Sequence, residues 1–187
     1  MTNKGFTLIE LMITISILLI VTGATIPSFN QLKLKIESEA VMHEWMQFLN
    51  SARASAIANE SVITVCPLVK NRCDSNLTNT WSMFTDNNKN KQLDKNEQLI
   101  RVLTPTEKLS LKIYPSNRNF LRFYNEPSGI YSGLMSSLTL CPTGKADSYA
   151  SHLRINIMGR VSGLQTRDTK GVPLRDNNGT LERITCS

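Results

Sequence analysis

Between Phe6 and Phe29 the chain carries one charged side chain, Glu10, among residues that are otherwise apolar, small or uncharged. In lipid, a segment this long must satisfy its backbone polar groups internally, which leaves the helix as its natural conformation. The run exceeds the apolar part of a secretory signal, and no Ala-x-Ala cleavage site follows it. The expectation is therefore a membrane-spanning helix over residues 6–29, with Lys4 held on the cytoplasmic side. Glu10 is the one residue this does not explain. A carboxylate inside such a helix is costly until it meets a partner, so it is a candidate functional group.

Composition constrains the remainder. The chain has 187 residues, 21 Lys and Arg against 15 Asp and Glu, and 41% hydrophobic residues. That is enough apolar content to build a core, and it excludes a disordered chain. All four cysteines, Cys66, Cys73, Cys141 and Cys186, follow the apolar segment and have no CxxC spacing. With only His43 and His152 beside them, disulfides in an oxidising compartment are the better reading than a zinc site. Three pairings are open to four cysteines; the short Cys66–Cys73 spacing and the terminal position of Cys186 favour Cys66–Cys73 and Cys141–Cys186.

After Pro27 the apolar residues recur at three- and four-residue steps, through Leu32, Ile36, Val41, Trp45, Phe48, Leu49, Ala52 and Ala56. This spacing predicts that the helix continues amphipathically over residues 30–59, with Trp45 and Phe48 facing a core. Eight short β-branched runs follow, at 61–66, 81–84, 98–103, 109–114, 120–124, 138–141, 152–157 and 181–186. Residues 71–80 and 159–179 read as loops. The fold class expected is α+β, a long N-terminal spine helix with a transmembrane first half and an antiparallel two-sheet β head over residues 60–187.

Two constellations in the head suggest ligands. Asp86, Asn88, Asn90, Asp94 and Glu97 occupy positions 1, 3, 5, 9 and 12 of a twelve-residue loop, as in the calcium-loop template. Lys91 replaces the glycine at position 6, and Lys89 and Lys95 cancel negative charge. A metal-free loop closed by Asn and Asp hydrogen bonds is the favoured reading, with calcium as the alternative and no other cofactor. Arg154, Arg160, Arg167, Lys170, Arg175 and Arg183 form the second group. They read either as a solvated basic face or as a phosphate-binding surface for nucleic acid, without aromatic residues for base stacking. No arrangement of nucleophile, base or phosphate-binding glycine loop is found, so the chain is expected not to be an enzyme.

The string Lys4-Gly5-Phe6-Thr7-Leu8-Ile9-Glu10-Leu11 resembles the class III signal of type IV prepilins and type II secretion pseudopilins. The resemblance implies a leader of residues 1–5, cleavage after Gly5 by a membrane aspartyl peptidase and methylation of Phe6. It also implies that Glu10 meets the N-terminal amine of a neighbouring subunit, acting as a register device. Pro27 is similar to the helix-kinking proline of pilins. Farther on, Cys66-Pro67, Trp81-x-x-Phe84-x-Asp86, Cys141-Pro142, Gly159-Arg160 and Cys186 resemble the GspH/FimT group of minor pilins and pseudopilins.

That group implies a subunit that primes filament assembly at or near the tip of a type IV pilus, among major and minor pilins. It would be a single-pass inner-membrane protein with a periplasmic head before its extraction into the filament. Some members bind double-stranded DNA during natural transformation through a Gly-Arg-x-Arg turn. Here Gly159 and Arg160 match, Ser162 stands in place of the second arginine, and Arg167 and Lys170 are candidates to assist. The alternative is a minor pseudopilin of a type II secretion system with no DNA-binding role.

Overall fold

The computed structural model describes residues 5–106, 109–114, 118–126, 129–131, 135–144, 147–163, 166–177 and 180–186, the side chains of 23–28, 30–31, 125–131 and 176–177 excepted. One helix, α1 (Leu8–Ala58), precedes every strand. The chain divides into two compact units, residues 1–37 and 38–187.

The first unit is helical from Leu8 onward. Thr7 caps it, since Glu10 lies three residues on and its Oε2 accepts from the Thr7 amide at 2.9 Å and from the Thr7 hydroxyl at 2.8 Å. The Glu10 amide in turn donates to Thr7 Oγ1 at 3.3 Å, which completes a capping box. Within the apolar run, the hydroxyls of Thr14, Ser16 and Thr22 donate to the carbonyls of Leu11, Met12 and Leu18. Uncharged polar side chains in this stretch are thus satisfied by their own helix.

The expectation of a transmembrane first half is corrected here. Among the described residues no helix is long and apolar enough to cross a membrane. The single-pass inner-membrane localisation with a periplasmic head, inferred from that span, loses its basis with it.

In the second unit the last part of α1 supplies one wall of the core. Trp45, Phe48, Leu49, Ala52 and Ala56, spaced by three and four, are buried. The helix stops at Ala58 because Glu60 turns into the left-handed region, with φ of 47°. The Ser61 amide then bonds the Ala56 carbonyl and the Glu60 amide bonds that of Ile57, the Schellman arrangement without its usual glycine.

Twelve strands follow among the described residues: β1 (Ile63–Val69), β2 (Arg72–Cys73), β3 (Trp81–Thr85), β4 (Leu99–Leu103), β5 (Leu109–Tyr114), β6 (Leu121–Glu126), β7 (Gly129–Tyr131), β8 (Ser136–Pro142), β9 (Ser151–Ile155), β10 (Val161–Gly163), β11 (Leu174–Asn177) and β12 (Thr180–Arg183). One sheet has the order β4-β3-β1-β6-β7, with β2 paired to β1. The second has the order β10-β9-β8-β5, and β11-β12 is a separate ribbon. The pairings are antiparallel. The stretch 159–179, read as loop from sequence, contains β10 and β11, and β2 lies in the other expected loop.

Ile63 and Val65 of β1, Trp81 and Met83 of β3 and Phe123 of β6 join Leu111, Leu138, Leu140, Leu153 and Ile155 of the second sheet in one core with the helix. Trp45 meets Trp81 edge to face at 5.2 Å between ring centres, and the Trp81 indole donates to the Leu77 carbonyl at 2.9 Å. Thr64, alternating with Ile63 and Val65 on β1, is nonetheless fully buried. It donates to Asp86, at the start of the segment that leads from β3 to β4.

Candidate functional site

The residues singled out by sequence fall in four separate places. At the N-terminus Gly5 is exposed and a Cβ built there would meet nothing within 4 Å. The folded chain thus gives no steric reason for glycine at this position. Phe6 is 76% exposed. Glu10 is exposed too, and the Thr7 amide, followed by the Thr7 hydroxyl, holds its carboxyl below the usual carboxylate range. The carboxylate is therefore charged at neutral pH, and it caps its own helix. Lys4 and the rest of the leader lie outside the described residues.

The four cysteines form two disulfides, Cys66–Cys73 and Cys141–Cys186. The first closes the β1–β2 turn, where Lys70 and Asn71 have φ of 49° and 62°. The second joins β8 to the segment after β12, whose Cys186 amide also donates to Asp147 at 3.0 Å.

The segment Asp86 to Glu97 is organised by its own side chains. Asp94 Oδ2 accepts from both Asn88 and Asn90 at 2.9 Å. Asn88 and Asn90 accept from the amides two residues ahead, and Glu97 accepts from the Asp94 amide. Lys89 and Lys91 take up φ of 60° and 63°, so lysine occupies left-handed positions where glycine is usual. Asp86 is fully buried, and its Oδ2 accepts from Arg122 Nη2 and from Thr64 Oγ1, each at 2.6 Å. Its Oδ1 is buried without a hydrogen-bond partner among the described residues. Arg122, lying over the Phe120 ring at 4.9 Å, thus provides a cation beside Asp86. Among the described residues no group of three or more His, Cys, Asp or Glu could hold a metal ion. Sequence reasoning missed Arg122 because it lies on β6, 36 residues beyond its partner.

The candidates for phosphate contact are divided between two turns. Asn156 to Arg160 link β9 to β10: the Asn156 side chain accepts from the Arg160 amide at 2.9 Å, and Gly159, buried, has φ of 70°. Arg160 is exposed, and Arg53 of α1 donates to the Met158 carbonyl of this turn. Arg167 belongs to the next turn and is engaged otherwise. Its guanidinium donates to the carbonyls of Ser148 and Gly171 at 2.7 Å and of Ala150 at 3.3 Å, tying the turn to a short 3-10 segment. Lys170 is exposed, its amide donating to Asp168. Burial opposes the charged form of Asp168. The Val172 and Lys170 amides and the ion pair with Arg183 nevertheless hold its carboxyl below the usual range.

Comparison with known proteins adds the family. The model described as type II transport protein GspH matches residues 42–159, and that of the prokaryotic N-terminal methylation motif matches residues 1–26. No curated protein matches significantly. Two crystal structures of the type IV minor pilin FimU of Pseudomonas aeruginosa are similar at 19% identity. One covers 68% of this chain and 88% of the other with a TM-score of 0.50; for the second the figures are 67%, 90% and 0.49. At this identity the first likeness shows a shared fold.

Proposed function

Because the chain belongs to the GspH/FimT-like family of minor pilins and pseudopilins, we propose that it is a minor pseudopilin of a type II secretion filament. Members of this family are structural and non-catalytic, and the general role is assembly of a filament with other pilin-like subunits. The observation that carries the finer reading is the GspH match over residues 42–159, which takes in the core-forming end of α1 and most of the head. Prepilin peptidase cuts after Gly5, where glycine answers to the enzyme's recognition rather than to packing, and Phe6 becomes the methylated N-terminus. Glu10, charged and exposed, is then available to the terminal amine of a neighbouring subunit, exchanging its Thr7 contacts for that ion pair.

Deleting the gene in the source bacterium is the test. The expected result is retention of secreted proteins in the cell with DNA uptake unchanged, restored by the wild-type chain but not by Glu10→Gln. Normal secretion with lost DNA uptake overturns the proposal. Intact mass measurement of the chain from its host checks processing, with loss of residues 1–5 and gain of one methyl group expected.

Exposed Arg160 and Lys170 favour a second reading, capture of double-stranded DNA. Arg167 supports it less, because its guanidinium already serves three carbonyls. If Arg160 contacts a phosphate, Arg160→Gln lowers the slope of log affinity against log salt by about one. An unchanged slope removes Arg160 from any DNA contact.

A further inference from the structure

A cleft of about 430 Å³ opens in the head where the β5–β8–β9 face meets the C-terminal segment. None of the described residues lining it is acidic, and four are cationic: Lys112, Arg118, Arg175 and Arg183. The arginines of the β11–β12 ribbon are held in place, Arg175 by Glu182 at 2.9 Å and Arg183 by Asp168 at 2.6 Å. Arg175 also lies over the Tyr114 ring, 5.6 Å from its centre. Each pair uses part of a five-donor guanidinium, so donors remain for a ligand.

Three nearly buried polar side chains, Ser137, Thr139 and His152, also line the cleft. Thr139 Oγ1 and His152 Nδ1 are 2.8 Å apart. Burial first, then the charges of Arg175 and Arg154, push the imidazole pKa down to about 4. The part of this lowering that comes from the arginine charges acts in the opposite sense on an anion, which the same charges favour. Leu77, Leu111, Ile113 and Ile184 supply apolar surface alongside these groups. The Cys141–Cys186 disulfide fixes the terminal segment that carries Ile184 and Thr185, so this wall is preformed.

We propose that this cleft binds an organic oxyanion, a carboxylate or phosphate carried on an apolar body, with Lys112, Arg118 and Arg175 meeting the charge and Leu77, Leu111 and Ile184 the body. Bidentate arginine geometry suits both oxyanions. The cleft is large enough for a small ring or one peptide residue. This inference does not depend on which filament the chain serves.

The test is an NMR titration of the isotope-labelled full chain with benzoate, phenyl phosphate, inorganic phosphate and cyclohexylamine. Saturable shifts at the Ser137, Thr139 and Thr185 amides are expected for benzoate and phenyl phosphate, with inorganic phosphate weaker. Lys112→Gln with Arg118→Gln is expected to weaken benzoate by about tenfold. Lys35→Gln, on the helix, leaves it unchanged. A peptide ending in a free phenylalanine carboxylate separates the sources of the anion. Binding much tighter than benzoate assigns the cleft to the terminus of another protein, and equal binding assigns it to a free acid. Equal shifts with cyclohexylamine, binding of inorganic phosphate alone, or the same loss in Lys35→Gln as in the double variant overturns the proposal.

Discussion

The two ends of α1 are one continuous helix with opposite fates. From Leu8 to Val21 its large apolar side chains are exposed, Leu8 at 77% and Ile20 at 73% among them. Between Trp45 and Ala56, Trp45, Phe48, Leu49, Ala52 and Ala56 are buried to 1% or less. The first part is the more hydrophobic, yet its described side chains are exposed and those of the second form one wall of a core. Helix formation and burial are therefore separate events. The backbone ladder and the Thr7–Glu10 cap suffice for the helix, whereas burial requires the complementary faces of two sheets. An apolar helix face left uncovered within its own chain is suited to a partner, as filament assembly demands.

This contrast can be broken by substitution. Phe48→Ala should cost about 3–5 kcal/mol in urea unfolding, by loss of contacts and the cavity left behind. Leu18→Ala, equally apolar and in the same helix, should change stability by no more than about 0.5 kcal/mol in the isolated chain. Comparable losses at both sites would mean that the first part is packed in the monomer after all.

A similar test applies to polar groups, where Asp86 is buried and Glu10 is exposed. Arg122→Met strands the Asp86 carboxylate and should cost about 3–5 kcal/mol, most of it recovered in the double variant with Asp86→Asn. A double variant as unstable as the single one would show that packing around Arg122, rather than charge, is what matters. Calcium should raise the unfolding temperature of neither protein.

Buried His152 makes the head sensitive to acid. Its folded pKa, about 4, lies below the ordinary 6.5, so between these values the unfolded chain binds the extra proton. Stability is then complete above pH 6.5 and declines as the pH falls toward 4, by up to about 3 kcal/mol. Urea midpoints at pH 7 and pH 4.5 measure the decline, and His152→Gln should flatten it. A decline of the same size in that variant would assign it to carboxylates.

The smallest effect belongs to the first turn. Thr7→Ala removes the two bonds of the Thr7 hydroxyl, the one it donates to the Glu10 carboxylate and the one it accepts from the Glu10 amide, and should cost about 1 kcal/mol, confined to the start of the helix. Amide exchange of the first helical turn reports it. A shift in global unfolding of that size would show that the first turn is coupled to the head.

Much of this was legible locally. The three- and four-residue spacing from Val41 to Ala56 marked both the helix and its core face, because helical periodicity is a property of neighbouring residues. The Thr7-x-x-Glu10 spacing of a capping box is likewise local, lying within one turn of the helix. The strands inside 159–179 were not, since β10 and β11 are three and four residues long and owe their conformation to pairing with β9 and β12. Arg167 looked like a free cation in a mobile loop; its carbonyl partners lie up to 19 residues away.

Sequence alone determined the processing motif, the helix and the alternation of strands, and the family follows from those spaced residues. All are encoded within a few residues of one another, where covalent geometry limits the outcomes. Tertiary structure decided that Arg122 stands beside Asp86, and that Lys112, Arg118, Arg175 and Arg183 share a cleft. Such groupings join residues tens of positions apart, and only the packing of sheet, helix and disulfide-held terminus brings them within reach of one another.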